Sequence, residues 1–187
     1  MNVKQSSQNL VWIDLEMTGL DPNKEKIIEI ATIITNSQLE ILEEGPNIVI
    51  HQSNDLLLKM DEWNTKHHTD SGLLEKVKLS QKQIRDAELE TLEFVKKYCK
   101  KKKAPLCGNS IWHDRRFLGR YMQELNEYFH YHNIDVSSIK ELVNRWMPDK
   151  KAPKKKRAHL ALDDIRESIE ELVYYKENIF NIKQATE

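Results

Sequence analysis

From Val11 to Glu16 the chain alternates: Val11, Ile13 and Leu15 interleave with Trp12, Asp14 and Glu16. A period of two predicts a β-strand with two unlike faces. Thr18-Gly19-Leu20-Asp21-Pro22-Asn23 then carries turn chemistry, and the β-branched run Ile27 to Thr35 predicts a second strand. Leu39 to Leu42 and Ile48 to Ile50 continue the sheet on either side of a Gly45-Pro46 break. Short connections predict antiparallel pairing at this end.

Periodicity then changes to that of helices. Leu56, Met60 and Trp63 predict a short helix over Asp55 to Trp63. Ser80 is the expected cap of a longer one reaching Tyr98, with Ile84, Ala87, Leu92 and Val95 on its apolar stripe. Pro105 to Asn109 reads as a short buried strand. Phe117, Tyr121, Leu125 and Tyr128 mark a helix from Asp114, and Ile134 to Val136 a last strand. Ser138 and Glu141 form a capping-box pattern for a helix to Trp146, closed by Pro148. Ile165, Ile169, Leu172 and Val173 give an amphipathic C-terminal helix. Strands first, then alternating helices and strands, predict an α/β domain with a mixed sheet flanked by helices.

Totals narrow the picture. A chain of 187 residues, 39% hydrophobic and 32% charged, is expected to be one domain with its structured core over about residues 8–180. No apolar run approaches the ~20 residues of a membrane span, and the polar start Met1 to Asn9 lacks a signal-peptide core. With only Cys99 and Cys107, a reduced, cytoplasmic setting is expected. The net charge of −1 conceals basic runs at 100–103 and 150–157.

Chemistry enters with the acidic face of the first strand. Asp14 and Glu16 point the same way, with Cα atoms about 6.5–7 Å apart. Adjacent carboxylates resist ionising together unless a cation sits between them, and oxygen-only ligands suit Mg²⁺ or Mn²⁺. Alone, such a pair more often marks a solvated strand face. Asp114 sits where a buried strand hands over to a helix, the place where sites collect in α/β sheets, although an aspartate there also serves as a helix cap. His159 and Asp164 lie about 140° apart on an ideal helix, so both cannot project from one face. Their spacing makes sense if His159 ends the basic loop and Asp164 projects from the first turns of the helix. A mobile loop ending in histidine can carry a base to substrate. Helix geometry does not choose between Asp163 and Asp164, since both lie off the apolar stripe.

Jointly, D-x-E on an early strand, a middle Asp and H-x-x-x-x-D near the C-terminus resemble the DEDDh 3′–5′ exonucleases. The related tyrosine subclass has Tyr four residues before the last Asp; that position is Leu160 here. The resemblance extends over nearly the whole chain, through WIDLEMTGLDP (12–22), IIEIATIIT (27–35), EGPNIVIHQS (44–53), DRRFLGRYM (114–122), DVSSIKEL (135–142) and LDDIRESIEELVYY (162–175). These blocks are similar to the branch of that superfamily acting on very short RNA.

The resemblance implies a ribonuclease-H-like fold, a homodimer, and 3′–5′ hydrolysis of oligoribonucleotides, down to dinucleotides, to nucleoside 5′-monophosphates. It assigns two divalent cations, Mg²⁺ or Mn²⁺, to Asp14, Glu16, Asp114 and Asp164, and the proton-accepting role to His159. Leu20 and Trp63 are expected to hold the two bases. His68 and Ser110 are expected to contact the nucleotide, and Tyr131 and Ser137 of the other subunit to cap its 5′ end. His132 stands where the family pattern has Arg, lacks the bidentate fork and predicts a weaker 5′-phosphate grip. Trp112-His113 replaces a small residue and Gln, and the loop before His159 is unusually basic, which would attract RNA. The rival readings are a DNA proofreading or repair exonuclease of the same superfamily and a catalytically silent RNA-binding module.

Overall fold

The computed structural model describes residues 5–153 and 160–180. Three strands, β1 (Leu10–Met17), β2 (Ile27–Thr35) and β3 (Ile41–Val49), form an antiparallel meander. Two short strands, β4 (Leu106–Gly108) and β5 (Asn133–Asp135), extend the other side in parallel, giving the order β3-β2-β1-β4-β5. The acidic strand β1 is therefore central. Every residue of β2 is buried, which explains its unbroken β-branched composition. The expected break at Gly45-Pro46 is absent, because β3 runs straight through it. As an edge strand β3 tolerates a residue without an N–H. Gly45 is needed because a Cβ there would meet the Phe94 ring at 2.4 Å.

The helices are α1 (Asn54–Leu57), α2 (Glu62–Asp70), α3 (Leu73–Leu79), α4 (Ile84–Tyr98), α5 (Trp112–Tyr121), α6 (Gln123–Tyr128), α7 (Val136–Trp146) and α8 (Ala161–Asn178). The single helix expected over 55–63 is instead two. Asp61 accepts a hydrogen bond from the Asn64 N–H at 2.7 Å and starts α2. Trp63 accordingly opens a helix rather than ending one. Ser80 is not the cap of α4: its hydroxyl donates to the Val49 carbonyl, and Gln83 with Asp86 forms the capping box. The helix expected over 114–128 begins at Trp112 and breaks at Met122. Asp135, accepting from the Ser137 N–H at 2.9 Å, displaces the expected Ser138 box at the start of α7.

The two faces of β1 are covered differently. Val11, Ile13 and Leu15 pack with Ala87, Leu92, Val95, Phe117, Leu118 and Leu125 of α4, α5 and α6. Trp12 packs with Ile165, Ile169, Leu172 and Tyr175 of α8, and its indole N–H donates to Thr35 Oγ1 at 3.0 Å. Further along that same face come Asp14 and Glu16, so α8 lies over the acidic positions by construction. A buried polar network locks α8 to its neighbours. Glu171 accepts from Asn109, Tyr175 and Lys140. Burial alone would raise the Glu171 carboxyl, but these hydrogen bonds outweigh it and hold the group below the usual carboxylate range. Among the described residues no helix is long and apolar enough to cross a membrane.

Candidate active site

Asp14 and Glu16 leave one face of β1 two residues apart, and Asp164 descends from the first turn of α8. One carboxylate oxygen from each lies within 4.8 Å of the others. Asp114 approaches from the first turn of α5, and its Oδ1 accepts a hydrogen bond from the Leu15 N–H at 2.9 Å. β4 pairs with β1 only at Val11 and Trp12, so the edge of β1 beyond them is open to such a contact. Gly108 turns that corner without a side chain, since a Cβ there would meet the Ile13 carbonyl oxygen at 3.1 Å. The Leu15 amide, between Asp14 and Glu16 along the strand, thus holds Asp114 against β1.

Electrostatics shows what this crowding costs. Glu16 is pushed up to about 8, first by burial and then by the charges of Glu29, Asp164 and Asp114. Asp114 is raised well above the usual aspartate range, chiefly by burial, despite the Leu15 hydrogen bond. Clustered, desolvated carboxylates of this kind are compensated most directly by a cation, and an all-oxygen donor set fits hard divalent ions. The residues present therefore fit a divalent metal centre.

Helix geometry left two aspartates open, and the structure separates them. Asp163 is engaged by Arg166 at 2.5 Å, and Arg166 reaches on to Glu44 on β3 at 2.6 and 2.9 Å. Asp164 alone of the pair joins the cluster. His159 lies outside the described residues.

Of the expected substrate residues, Leu20 and Trp63 are exposed large apolar side chains, at 65% and 68%. Leu20 does not sit on a loose turn. The Thr18 N–H donates to the Lys26 carbonyl at 3.0 Å, the Thr18 hydroxyl donates to Glu25, and the Tyr121 hydroxyl lies 2.8 Å from the Pro22 carbonyl and 2.8 Å from that of Glu25. The turn is closed from both sides while Leu20 stays in solvent. Trp63 stacks on His67 one helical turn later, with ring centroids 4.7 Å apart and planes 12° from parallel.

His68, expected at the nucleotide, is buried and faces the protein instead: Nε2 donates to the Met17 carbonyl at 2.9 Å, and Nδ1 lies 4.0 Å from Glu16. Ser110 has a left-handed backbone (φ 49°) and its hydroxyl is 3.2 Å from that of Ser137. Ser137, expected on the partner's side of the site, is thus joined to Ser110 of its own chain. Asp135 holds both, accepting from the Ser110 and Ser137 N–H groups. Tyr131 is 79% exposed and stacks on His130, with His132 edge-on to it.

Glu29 was missed by sequence reasoning. It lies directly opposite Glu16 in the β1–β2 register and is buried. Burial raises its carboxyl above the usual glutamate range, with Asn47, Lys76 and the Ala161 backbone pulling the other way. A lone acid inside the apolar run of β2 was the available signal.

A sheet of this order with four acidic side chains gathered where β1, α5 and α8 meet defines a nuclease of the exonuclease class, and the family model described as "Exonuclease" matches residues 11–172. The chain is 59% identical over 177 residues to an oligoribonuclease of Pasteurella multocida, covering 94% of this chain and 96% of that protein. It is 56% identical over 182 residues to the oligoribonuclease of Actinobacillus pleuropneumoniae, covering 97% and 99%. The chain belongs to the oligoribonuclease family. In fold it is similar to E. coli exonuclease I in complex with a dA16 oligonucleotide, with a TM-score of 0.71 at 13% identity over 93% of this chain. The chain spans 42% of that protein's length.

Proposed function

We propose that this protein removes nucleotides from the 3′ end of very short RNA, dinucleotides included, releasing nucleoside 5′-monophosphates. The observation that carries the reading is the convergence of Asp14, Glu16 and Asp164 with Asp114 pinned on Leu15, beside two exposed apolar side chains, Leu20 and Trp63. Asp14, Glu16, Asp114 and Asp164 would hold two divalent cations, Mg²⁺ or Mn²⁺, which when bound would supply Lewis acidity at the scissile phosphate. The chain's own groups do the rest. Leu20 and Trp63 clamp the bases, a sequence-tolerant contact suited to any short RNA. Ser110 and Ser137 offer hydroxyl donors, held by Asp135. His159, five residues ahead of Asp164, accepts the proton of the attacking water on a ring nitrogen near neutral pH. His68 acts from behind, buttressing Glu16 and the Met17 carbonyl. His132 offers the 5′-phosphate a single ring N–H in place of the bidentate fork of a guanidinium.

Labelled RNA dinucleotide and long single-stranded DNA, compared at equal concentration with Mg²⁺, test this assignment. Faster release from the dinucleotide is expected, and preference for the DNA contradicts it. The protein acts in the cytoplasm as a homodimer, with Tyr131 reaching the partner's site. That arrangement is supported by Tyr131's exposure, which leaves its ring available to a second copy of the chain. Light scattering should give twice the chain mass; a fully active monomer contradicts the shared site.

A further inference from the structure

Beside the carboxylate cluster lies a second group of ligand atoms with different chemistry. One atom each from Glu16, His67 and His68 falls within 4.8 Å of the others. The hydrogen bond from His68 Nε2 to the Met17 carbonyl fixes the ring as the Nε2–H tautomer when neutral, leaving the lone pair on Nδ1. That Nδ1 is buried, has no hydrogen-bond partner, and faces the Glu16 carboxylate at 4.0 Å. A lone pair aimed at a carboxyl group is repelled unless a proton or a metal cation lies between them, and at 4.0 Å the gap is too wide for a direct hydrogen bond. A histidine whose other nitrogen donates to a backbone carbonyl is oriented as metal-binding histidines are.

We propose that Glu16, His67 and His68 form a separate subsite for a borderline transition-metal cation, Zn²⁺ being the representative, which shares Glu16 with the carboxylate cluster. Two imidazoles and one carboxylate suit Zn²⁺ and leave a fourth position for water or a phosphate oxygen, whereas Mg²⁺ prefers oxygen donors alone. Zinc bonds of about 2.0–2.2 Å place tetrahedral ligand atoms roughly 3.3–3.5 Å apart. Closing from the present separations takes about 1 Å, within reach of side-chain rotation at the half-buried His67 and Glu16. Occupancy has a functional consequence: Glu16 drawn to zinc is withdrawn from the hydrolytic cations, so Zn²⁺ inhibits the Mg²⁺-supported reaction. His67 also couples the subsite to Trp63, its stacking partner.

The test is Zn²⁺ binding to the full chain in saturating Mg²⁺, by calorimetry and by the visible absorption of Co²⁺ in place of zinc. The variant is His67→Phe, which keeps a ring against Trp63 and removes the ligand. One Zn²⁺ per chain is expected, with tetrahedral-type Co²⁺ bands. Affinity should fall at least tenfold in the variant, whose melting temperature stays that of the parent, and the inhibitory Zn²⁺ concentration should rise in step. No zinc binding above Mg²⁺, or equal binding by parent and variant, overturns the proposal, the latter placing zinc on the carboxylates alone. The inhibition measurement rests on the exonuclease reading; the binding and spectroscopic measurements do not, so failure of one is distinguishable from failure of the other.

Discussion

Asp14→Asn lowers the rate of dinucleotide hydrolysis by about a thousandfold or more at saturating Mg²⁺. The side chain keeps its shape, so the change isolates one negative charge in a group where three carboxylate oxygens lie within 4.8 Å of one another. Stabilisation of transition-state charge by a held cation is worth several kcal/mol, and about 4 kcal/mol is three decades of rate. Stability moves the other way. Removing one of several mutually repelling carboxylates relieves the metal-free fold, so the variant should melt at or above the parent's temperature in the presence of a chelator. Asp163→Asn is the matched control: Asp163 pairs with Arg166 instead of the cluster, and its loss should change the rate less than about twofold, as for an exposed pair worth under 1 kcal/mol. Steady-state assays with both variants check this. Near-parental activity of Asp14→Asn would show that the carboxylate cluster is not where hydrolysis occurs.

Trp63→Ala raises the dissociation constant for an RNA dinucleotide by roughly 5- to 150-fold, the range for 1–3 kcal/mol of base stacking. Its indole is 68% exposed and stacked on His67, so little core is lost and the melting temperature should hold. Binding measured with Ca²⁺ in place of Mg²⁺, to suppress turnover, separates affinity from chemistry. Unchanged affinity would make Trp63 a surface residue and remove one wall of the base clamp.

What could be read in the sequence was what depends on local period. The alternation around Asp14 and Glu16 placed both on one face of a strand, and that strand is the centre of the sheet. The amphipathic stripe of α8 likewise located its buried face. What depended on distant partners could not be read. Asp163 and Asp164 are equivalent on a helical wheel, and Arg166, tied to Glu44 on β3, is what takes one of them away. Whether Pro46 ends a strand depends on that strand being an edge. The helix starts near Trp63 and Ser80 differ from the expectation because Asp61 and the Gln83/Asp86 pair cap instead, and several polar residues in each stretch could serve as caps. His67 and Glu29 carried no periodic signal; each matters through its proximity to Glu16. The left-handed backbone at Ser110, which sets its hydroxyl against Ser137, is equally invisible in residue type.

On the proposed function, four carboxylates from β1, α5 and α8 would hold the hydrolytic cations beside the scissile phosphate. Anomalous diffraction from crystals grown with Mn²⁺ and a non-hydrolysable RNA dinucleotide tests this most directly. Two manganese peaks about 3.5–4 Å apart are expected among Asp14, Glu16, Asp114 and Asp164, with the bases against Leu20 and Trp63. Manganese bound elsewhere, or a dinucleotide lying away from those peaks, would contradict it.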